Sequence, residues 1–259
     1  MLGSIVGDII GSTYEFKNAG NYDFEPFPSG SSFTDDTVLT AAVADSILTK
    51  RHYSETVREY ALNYPGRGYG TWFSKWIYMD NPKPYRSFGN GSAMRVAPIG
   101  WAFDSLGETL KEAERSSAIT HNHPEGKKGA KVVAASIFLA RTGHDKQEIK
   151  NFVEKSYHYN LSRTLTDIKP FYSFNETCQK TVPEALICFL ESENFEDAIR
   201  KAIWLGSDSD TLACITGGIA EAFYREIPDE WVERSLNLLD QRLKEVVDQF
   251  RKTFVTKGV

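Results

Sequence analysis

Apolar residues recur at helical spacing along nearly the whole chain, and this periodicity limits the fold more than any other feature of the sequence. It predicts helices over residues 2–15, 35–50, 54–64, 108–119, 126–142, 145–157, 183–192, 195–205, 211–224 and 229–254. Pro183 and Pro228 stand where a proline just before a helix or in its first turn is favoured. The strict alternation of apolar and polar residues that is typical of half-buried strands is absent. We therefore predict an all-α fold, a single compact multi-helix domain over residues 1–259.

Three segments interrupt the predicted helices, at residues 16–33, 65–100 and 159–182. They are rich in glycine, proline, serine, asparagine and aromatic residues, and we interpret them as loops. Loops of this length in a compact domain are usually functional. The sequence therefore directs the search for a site to these segments and to the helix ends beside them.

The first predicted helix carries glycine at positions 3, 7 and 11, which fall on one face of a helix. In a membrane, such a stripe of small residues would favour dimerisation of helices. No apolar run here reaches the roughly 18 residues that a membrane-spanning helix needs. The stripe therefore predicts that another helix packs closely against this one in the core.

Two acidic clusters each run into an apolar helical stretch. Thr34-Asp35-Asp36 comes before the second predicted helix, and Asp208-Ser209-Asp210-Thr211 opens the helix at residues 211–224. One interpretation is helix capping, since short oxygen-bearing side chains satisfy free N–H groups at helix starts. A cap needs only one oxygen, however, and adjacent carboxylates repel unless a cation neutralises them. Carboxylate and hydroxyl oxygens are the ligands of magnesium-type ions, so the clusters together favour a metal site.

Two glycine-containing loops are candidate ligand sites, although each is also compatible with an ordinary turn. Small residues in the stretch from Gly89 to Arg95 would let backbone N–H groups converge on an anion such as phosphate. The stretch from Gly66 to Gly70 is either a flexible loop or backbone shaped around a ligand. No motif for dinucleotide binding and no P-loop is present.

His121 and His123 do not predict a zinc site, because no third soft ligand lies at a familiar spacing. His121 is instead a candidate for hydrogen bonding to a polar ligand. Glu15, at the end of the first predicted helix, is on its own typical of a surface charge. It becomes functional only if the fold brings it to the metal site.

Composition excludes several classes of function. The net charge of −5, without any Lys/Arg-rich run, argues against general nucleic-acid binding. The three cysteines form no CxxC pair and no disulfide framework, which favours a reducing compartment. The N-terminal residues have no basic segment typical of a signal peptide. We therefore predict a cytoplasmic protein that does not bind membranes and acts as a monomer.

Several stretches, taken in order, resemble the ADP-ribosylglycohydrolase family, which includes the dinitrogenase-reductase-activating glycohydrolases and the animal ADP-ribosyl-serine and ADP-ribosyl-arginine hydrolases. The matching stretches are GDIIGSTYEF, FTDDTVLTAAVADSIL, RGYG, SFGNGSAMRVAPIG, THNHPEGKKGA, VPEALICFL and LGSDSDTLACITGGIAEAFY. One departure is Ser207, where many relatives have a second glycine. Serine is expected to be tolerated there unless the position requires a positive φ.

The resemblance implies an all-α fold with two Mg²⁺ ions, or alternatively Mn²⁺, in a central cleft. Carried over position by position, the metal ligands would be Thr34, Asp35, Asp36, Asp208, Asp210 and Thr211. Glu15, with Asp35 and Asp210, would take part in catalysis, or Glu15 would gate the cleft. Residues of the two glycine loops and the histidine would bind the ADP-ribose half of the substrate: Gly68, Tyr69, Ser87, Phe88, Gly89, Asn90, Gly91 and His121.

The implied activity is hydrolysis of the bond at C1″ of an ADP-ribose carried by a protein side chain or a small acceptor. Two alternatives are a catalytically silent ADP-ribose-binding or crystallin-like structural protein and a magnesium-dependent nucleotide phosphohydrolase. The leaving group stays open among arginine, serine, an acetyl ester and a nucleobase.

Overall fold

In the computed structural model, which describes residues 1–256, helices make up almost all of the regular structure. The helices are α1 (Leu2–Gly11), α2 (Asp35–Thr49), α3 (Tyr53–Asn63), α4 (Thr71–Trp76), α5 (Gly91–Met94), α6 (Ala97–Ala102), α7 (Leu106–Ala118), α8 (Pro124–Arg141), α9 (Lys146–Tyr157), α10 (Leu165–Ile168), α11 (Cys178–Glu191), α12 (Phe195–Leu205), α13 (Ser209–Tyr224), α14 (Asp229–Leu238) and α15 (Gln241–Phe250). A 3₁₀ turn follows α10 at Lys169–Phe171, and a π-helical turn follows α15 at Arg251–Val255.

The predicted all-α class is confirmed. Residues 1–256 contain no strand, and the one isolated bridge pairs Gly89 with Thr177. The predicted extent of the domain, residues 1–259, includes three residues that lie outside the described part. None of the helices within the described part is long and apolar enough to cross a membrane.

Helix α13 lies at the centre of the packing, where it contacts α1, α8, α11 and α12. The glycine stripe explains its contact with α1. A Cβ atom at Gly3 would clash with the backbone carbonyl of Gly217 on α13, and one at Gly7 would clash with that of Ala213. A Cβ atom at Gly11 would lie 2.5 Å from the Asp210 Cα. The predicted close packing is confirmed, and it brings the end of α1 against the start of α13.

Several predicted boundaries are wrong. The first helix ends at Gly11 rather than at residue 15, and the segment 65–100 contains α4, α5 and α6. The segment 159–182 likewise contains α10 and the first turn of α11. These helices have four to six residues, too few for an apolar period to repeat.

Two further differences concern the C-terminal half. The predicted helix over residues 229–254 is broken at Leu239, which is extended, and Asp240 caps α15 by accepting from the N–H of Leu243 at 3.0 Å. Pro183 is not near a helix start but lies inside α11, which begins at Cys178. The proline ring has no N–H, so the carbonyl of Gln179 lacks its usual helical partner.

Candidate active site

The two acidic clusters stand at the starts of α2 and α13, and the fold brings these starts together. The hydroxyl of Thr211 lies 3.3 Å from a carboxylate oxygen of Asp36. Carboxylate oxygens of Asp8, Asp36 and Asp210 lie within 4.8 Å of one another, and so do those of Glu15, Asp208 and Asp210. Asp210 therefore belongs to both groups of carboxylates, which could each hold a cation.

The start of α2 has both a helix cap and carboxylates of the cluster. The hydroxyl of Thr34 accepts from the N–H of Asp36 at 3.2 Å, as an N-cap does. The N–H of Asp35 donates to the carbonyl of Arg67 at 2.8 Å, so the loop of residues 66–70 is tied to this helix start. Capping thus uses Thr34, and the Asp36 carboxylate lies in the cluster. The Asp35 carboxylate belongs to neither group of three and lies near Gly68.

Asp8, in the middle of α1, is the member of the cluster that sequence reasoning missed. It is fully buried and accepts from the N–H groups of Thr34 at 3.0 Å and Thr37 at 3.1 Å. It also accepts from both threonine hydroxyls. The sequence signal that could have identified Asp8 is that it is a single aspartate within the apolar run LGSIVGDIIG. A charge buried in such a run needs a specific partner.

The electrostatics of the cluster are those of crowded negative charge. Burial, followed by the neighbouring carboxylates, raises the pKa of Asp35, Asp36 and Asp210 well above the ordinary range. Burial also raises the pKa of Asp208 to about 6. No Lys or Arg in residues 1–256 forms an ion pair with these four carboxylates.

This donor set fits hard divalent cations. As noted, no Lys or Arg of the described residues pairs with these carboxylates. In addition, one carboxylate oxygen of Asp36 is buried and has no hydrogen-bond partner among the described residues. Buried carboxylate oxygens without partners are costly unless they are protonated or coordinate a metal. The residues present are therefore chemically suited to bind such ions.

Glu15 lies after the end of α1 and is half-buried beside Asp208 and Asp210. Burial, then the charges of Asp210, Glu176 and Asp8, raises the pKa of its carboxyl group to about 7. A carboxyl group that titrates near neutral pH can both accept and donate a proton under ordinary conditions. The fold thus meets the condition under which Glu15 becomes a functional candidate.

The loop Ser87–Gly91 leads into α5, but fewer of its N–H groups are free than the sequence suggested. The Gly89 N–H donates to the Ser87 hydroxyl at 3.1 Å, and the Asn90 N–H donates to the Glu176 carbonyl at 2.8 Å. The N–H groups of Gly91 and Ser92, in the first turn of α5, have no helical partner. These two are among the backbone donors that remain for an anion, with those of Ser87 and Phe88, which also have no hydrogen-bond partner among the described residues.

The side chain of Asn90 connects this loop to the acidic cluster. Asn90 is buried, and its amide donates to Asp208 at 2.6 Å and to the Thr181 hydroxyl at 3.1 Å. Its hydrogen bonds therefore orient a carboxylate of the cluster. The loop and the cluster form one connected structure.

A cavity of about 1030 Å³ joins the acidic cluster to this loop. It is lined by every predicted site residue except Tyr69: Glu15, Thr34, Asp35, Asp36, Gly68, Ser87, Phe88, Gly89, Asn90, Gly91, His121, Asp208, Asp210 and Thr211. The side chain of Tyr69 turns away, because its hydroxyl donates to the Tyr64 carbonyl at 2.9 Å and its ring stacks on Phe73.

Other lining residues were not identified from the sequence: Arg67, Trp72, Tyr85, Arg95, Phe174 and Glu176. All six lie in the segments 65–100 and 159–182, so the loop-like composition of these segments was the available signal. Trp72, Phe88 and Phe174 are exposed at the cavity, and Phe174 stacks on the exposed Phe16 at 5.8 Å. The cavity opening therefore has aromatic walls.

Comparison with known proteins gives concordant matches. The family model described as ADP-ribosylglycohydrolase matches residues 1–258. ADP-ribosylhydrolase ARH3 from Homo sapiens is 27% identical over 316 residues, covering 89% of this chain and 86% of that protein. ADP-ribosylarginine hydrolase Tri1 from Pseudomonas putida (strain GB-1) is 26% identical, covering 90% of this chain and 72% of that protein.

Among solved structures, a chain of an ADP-ribosylglycohydrolase-related protein complex is similar, with a TM-score of 0.74 and 25% identity. The match covers 97% of this chain and 95% of that chain. The likeness therefore extends over the whole helical fold rather than over the site alone.

Proposed function

Because the chain belongs to the ADP-ribosylglycohydrolase family and is thus a glycosidase, we propose that it cleaves the bond at C1″ of an attached ADP-ribose and releases ADP-ribose. The acceptor is a protein side chain or a small molecule, and the protein acts as a monomer. The observation that carries the proposal is the cavity shared by the carboxylate cluster, Glu15 and the loop Ser87–Gly91.

Two divalent cations, Mg²⁺ or alternatively Mn²⁺, would be held by the oxygens of the two helix starts: Thr34, Asp35, Asp36, Asp208, Asp210 and Thr211. Such ions, when bound, supply charge that polarises substrate hydroxyls and orients water. The chain contributes the rigid placement of its carboxylates. Asn90 orients Asp208, and Thr34 and Thr37 together orient Asp8.

Glu15 is our candidate for proton transfer. Cleavage of a glycosidic bond passes through an oxocarbenium-like state. Proton transfer assists the reaction by deprotonating the attacking water or by protonating the leaving atom. Glu15 accepts the proton of the attacking water or donates one to the leaving atom, since its carboxyl group lies in the cavity beside Asp208 and Asp210. Its neighbours Asp208 and Asp210 are the carboxylates nearest to that reaction.

The loop Ser87–Gly91 would hold the diphosphate. The free N–H groups of Gly91 and Ser92 and the ring of His121 supply hydrogen-bond donors there, and Phe88 supplies an aromatic face for the nucleotide. Binding energy from these contacts, which are made to a part of the substrate other than C1″, orients the scissile bond toward Glu15.

The test is product analysis with defined substrates. The protein is incubated with ADP-ribosyl-arginine and ADP-ribosyl-serine peptides in Mg²⁺ and, separately, in EDTA. We expect free ADP-ribose in Mg²⁺ and none in EDTA. Release of AMP would instead indicate a phosphohydrolase. Binding of ADP-ribose without any product from these or from small ADP-ribosyl conjugates would indicate a silent binding protein.

A further inference from the structure

Arg95 is a fully buried arginine at the end of α5, and it forms no ion pair with any carboxylate of residues 1–256. Its guanidinium donates to the Ser116 carbonyl at 3.2 Å and to the Thr120 hydroxyl at 2.9 Å. Both bonds start from Nη2, whereas Nε and Nη1 are buried without a partner among the described residues. Nη2 orients its two neutral acceptors strongly, because a buried donor cannot turn to water. The Thr120 hydroxyl therefore accepts a hydrogen bond from Arg95 and must donate its own proton to another group.

Thr120 is also fully buried, and its hydroxyl has two polar neighbours within the described part of the chain. One is the Arg95 guanidinium, which can only donate. The other is Nδ1 of His121, at 2.7 Å. The hydroxyl has one proton, and the only acceptor beside it is this ring nitrogen. The Thr120 hydroxyl thus donates to His121 Nδ1, which must then be unprotonated.

His121 is neutral at ordinary pH. Burial, followed by the positive charge of Arg95, lowers the pKa of its imidazole well below the usual range. A neutral imidazole carries one proton, so with Nδ1 as the acceptor the proton resides on Nε2.

The Nε2 atom lies against the loop in the cavity. A Cβ atom built on Gly89 would be 3.5 Å from it, and one built on Gly91 would be 3.3 Å from it. The two glycines thus leave open the space in front of the ring nitrogen, next to the free N–H groups of Gly91 and Ser92.

From this geometry we infer that Arg95 and Thr120 are positioning residues, which fix His121 in the tautomer that donates Nε2–H to an anion in the loop Ser87–Gly91. The inference rests on the proposed function for the identity of that anion, the diphosphate of ADP-ribose. Without the Thr120 hydroxyl, either ring nitrogen could carry the proton, and a fraction of the molecules would present a lone pair to the anion.

The first experiment is ¹⁵N NMR of the histidine rings in the full-length protein. The chain has five histidines, and the signals of His121 are assigned by their loss in His121→Gln. We expect a protonated Nε2 and an unprotonated Nδ1. A protonated Nδ1 in the wild-type protein would overturn the inference, and this result does not depend on any ligand.

The second experiment is calorimetry with ADP-ribose, on Thr120→Val and on its matched control Thr120→Ser. We expect Thr120→Val to bind about 10-fold more weakly, the loss of roughly one hydrogen bond to a charged group, and to show a mixed tautomer. Thr120→Ser keeps the hydroxyl and should bind like the wild type.

Equal affinity of a folded Thr120→Val and the wild type would overturn the inference. If Thr120→Val does not fold, the tautomer of the wild-type protein decides. Failure of the wild-type protein to bind ADP-ribose at all would contradict the proposed function instead, while the tautomer measurement would still stand.

Discussion

Ser207 stands in a left-handed backbone conformation, with a φ of 76°, in the turn between α12 and α13. The sequence comparison with relatives expected serine to be tolerated here only if a positive φ was not required, and the structure requires one. Two hydrogen bonds offset the strain. The Ser207 hydroxyl accepts from the Asn175 N–H at 3.0 Å and donates to the Ser173 carbonyl at 3.1 Å.

A pair of substitutions separates these two effects. Ser207→Ala keeps the strained φ and loses both hydrogen bonds, so it should lower the free energy of unfolding by about 1–3 kcal/mol. Ser207→Gly also loses the bonds but relieves the strain, which is worth about 1 kcal/mol. Thermal unfolding should therefore rank the wild type above Ser207→Gly, and Ser207→Gly above Ser207→Ala. Equal melting temperatures of the two variants would mean that the positive φ at residue 207 does not lower the free energy of unfolding.

Glu15 is the residue for which the cavity gives the sharpest functional expectation. Glu15→Gln keeps the shape of the side chain and removes the group that transfers a proton. We expect kcat to fall about 10²–10⁴-fold, while the melting temperature stays level or rises because a carboxyl near Asp208 and Asp210 is lost. Steady-state kinetics measures kcat and thermal unfolding measures the melting temperature. Calorimetry measures the affinity for ADP-ribose, which should be retained. A variant with more than about a tenth of the wild-type kcat would mean that Glu15 does not transfer a proton in the reaction.

At the scale of elements, the contact between α1 and α13 positions the whole acidic cluster. The glycines of α1 allow its backbone to touch that of α13, so Asp8 and Glu15 each come to lie beside Asp210, which is distant from both in sequence. Cβ atoms on this stripe would push the two helices apart. The stripe is therefore a condition for the site as well as for the core.

Gly7→Ala tests this contact against Gly107→Ala, a matched control on α7. A Cβ at Gly7 would clash with the Ala213 carbonyl, whereas a Cβ at Gly107 meets no atom within 4 Å. Gly7→Ala should lower the free energy of unfolding by about 1–3 kcal/mol or more. Gly107→Ala should raise it by up to about 1 kcal/mol, because alanine is the better helix former. Chemical denaturation measures both; an unchanged midpoint for Gly7→Ala would mean that the helices can separate at no cost.

At the scale of the whole molecule, the proposed cation site predicts that stability depends on divalent cations. Without a cation, like charges in the cluster oppose folding, and binding of Mg²⁺ to the folded state alone should stabilise it. At a Mg²⁺ concentration about 100-fold above Kd, we expect a gain of roughly 2.7 kcal/mol. For a domain of this size the melting temperature should then rise by about 5–10 °C, and EDTA should reverse the rise.

Asp210→Asn shows whether the cluster is responsible. This variant should lose most of the Mg²⁺-induced rise, yet in EDTA it should melt no lower than the wild type because one repelling charge is gone. The control is Asp248→Asn, on the exposed surface, where the carboxylate pairs with Lys252. It should keep the full rise. A rise of equal size in Asp210→Asn would show that Mg²⁺ binds elsewhere.

The sequence by itself determined the features that depend on near neighbours along the chain. Apolar spacing located the long helices, since residues three and four apart share a helix face. The oxygen-rich starts of α2 and α13 were recognisable because their residue types are specific to caps and cations. The glycines of α1 predicted a close helix contact, although not its partner.

Only the tertiary structure decided which side chains share the cavity. It placed Asp8 in the cluster, directed the amide of Asn90 to Asp208 and turned Tyr69 away. It also brought Arg95 to Thr120, on the segment that follows α7. The physical reason is that these contacts depend on how whole helices cross. A helix crossing results from packing between residues far apart in the chain, and local periodicity carries no information about it.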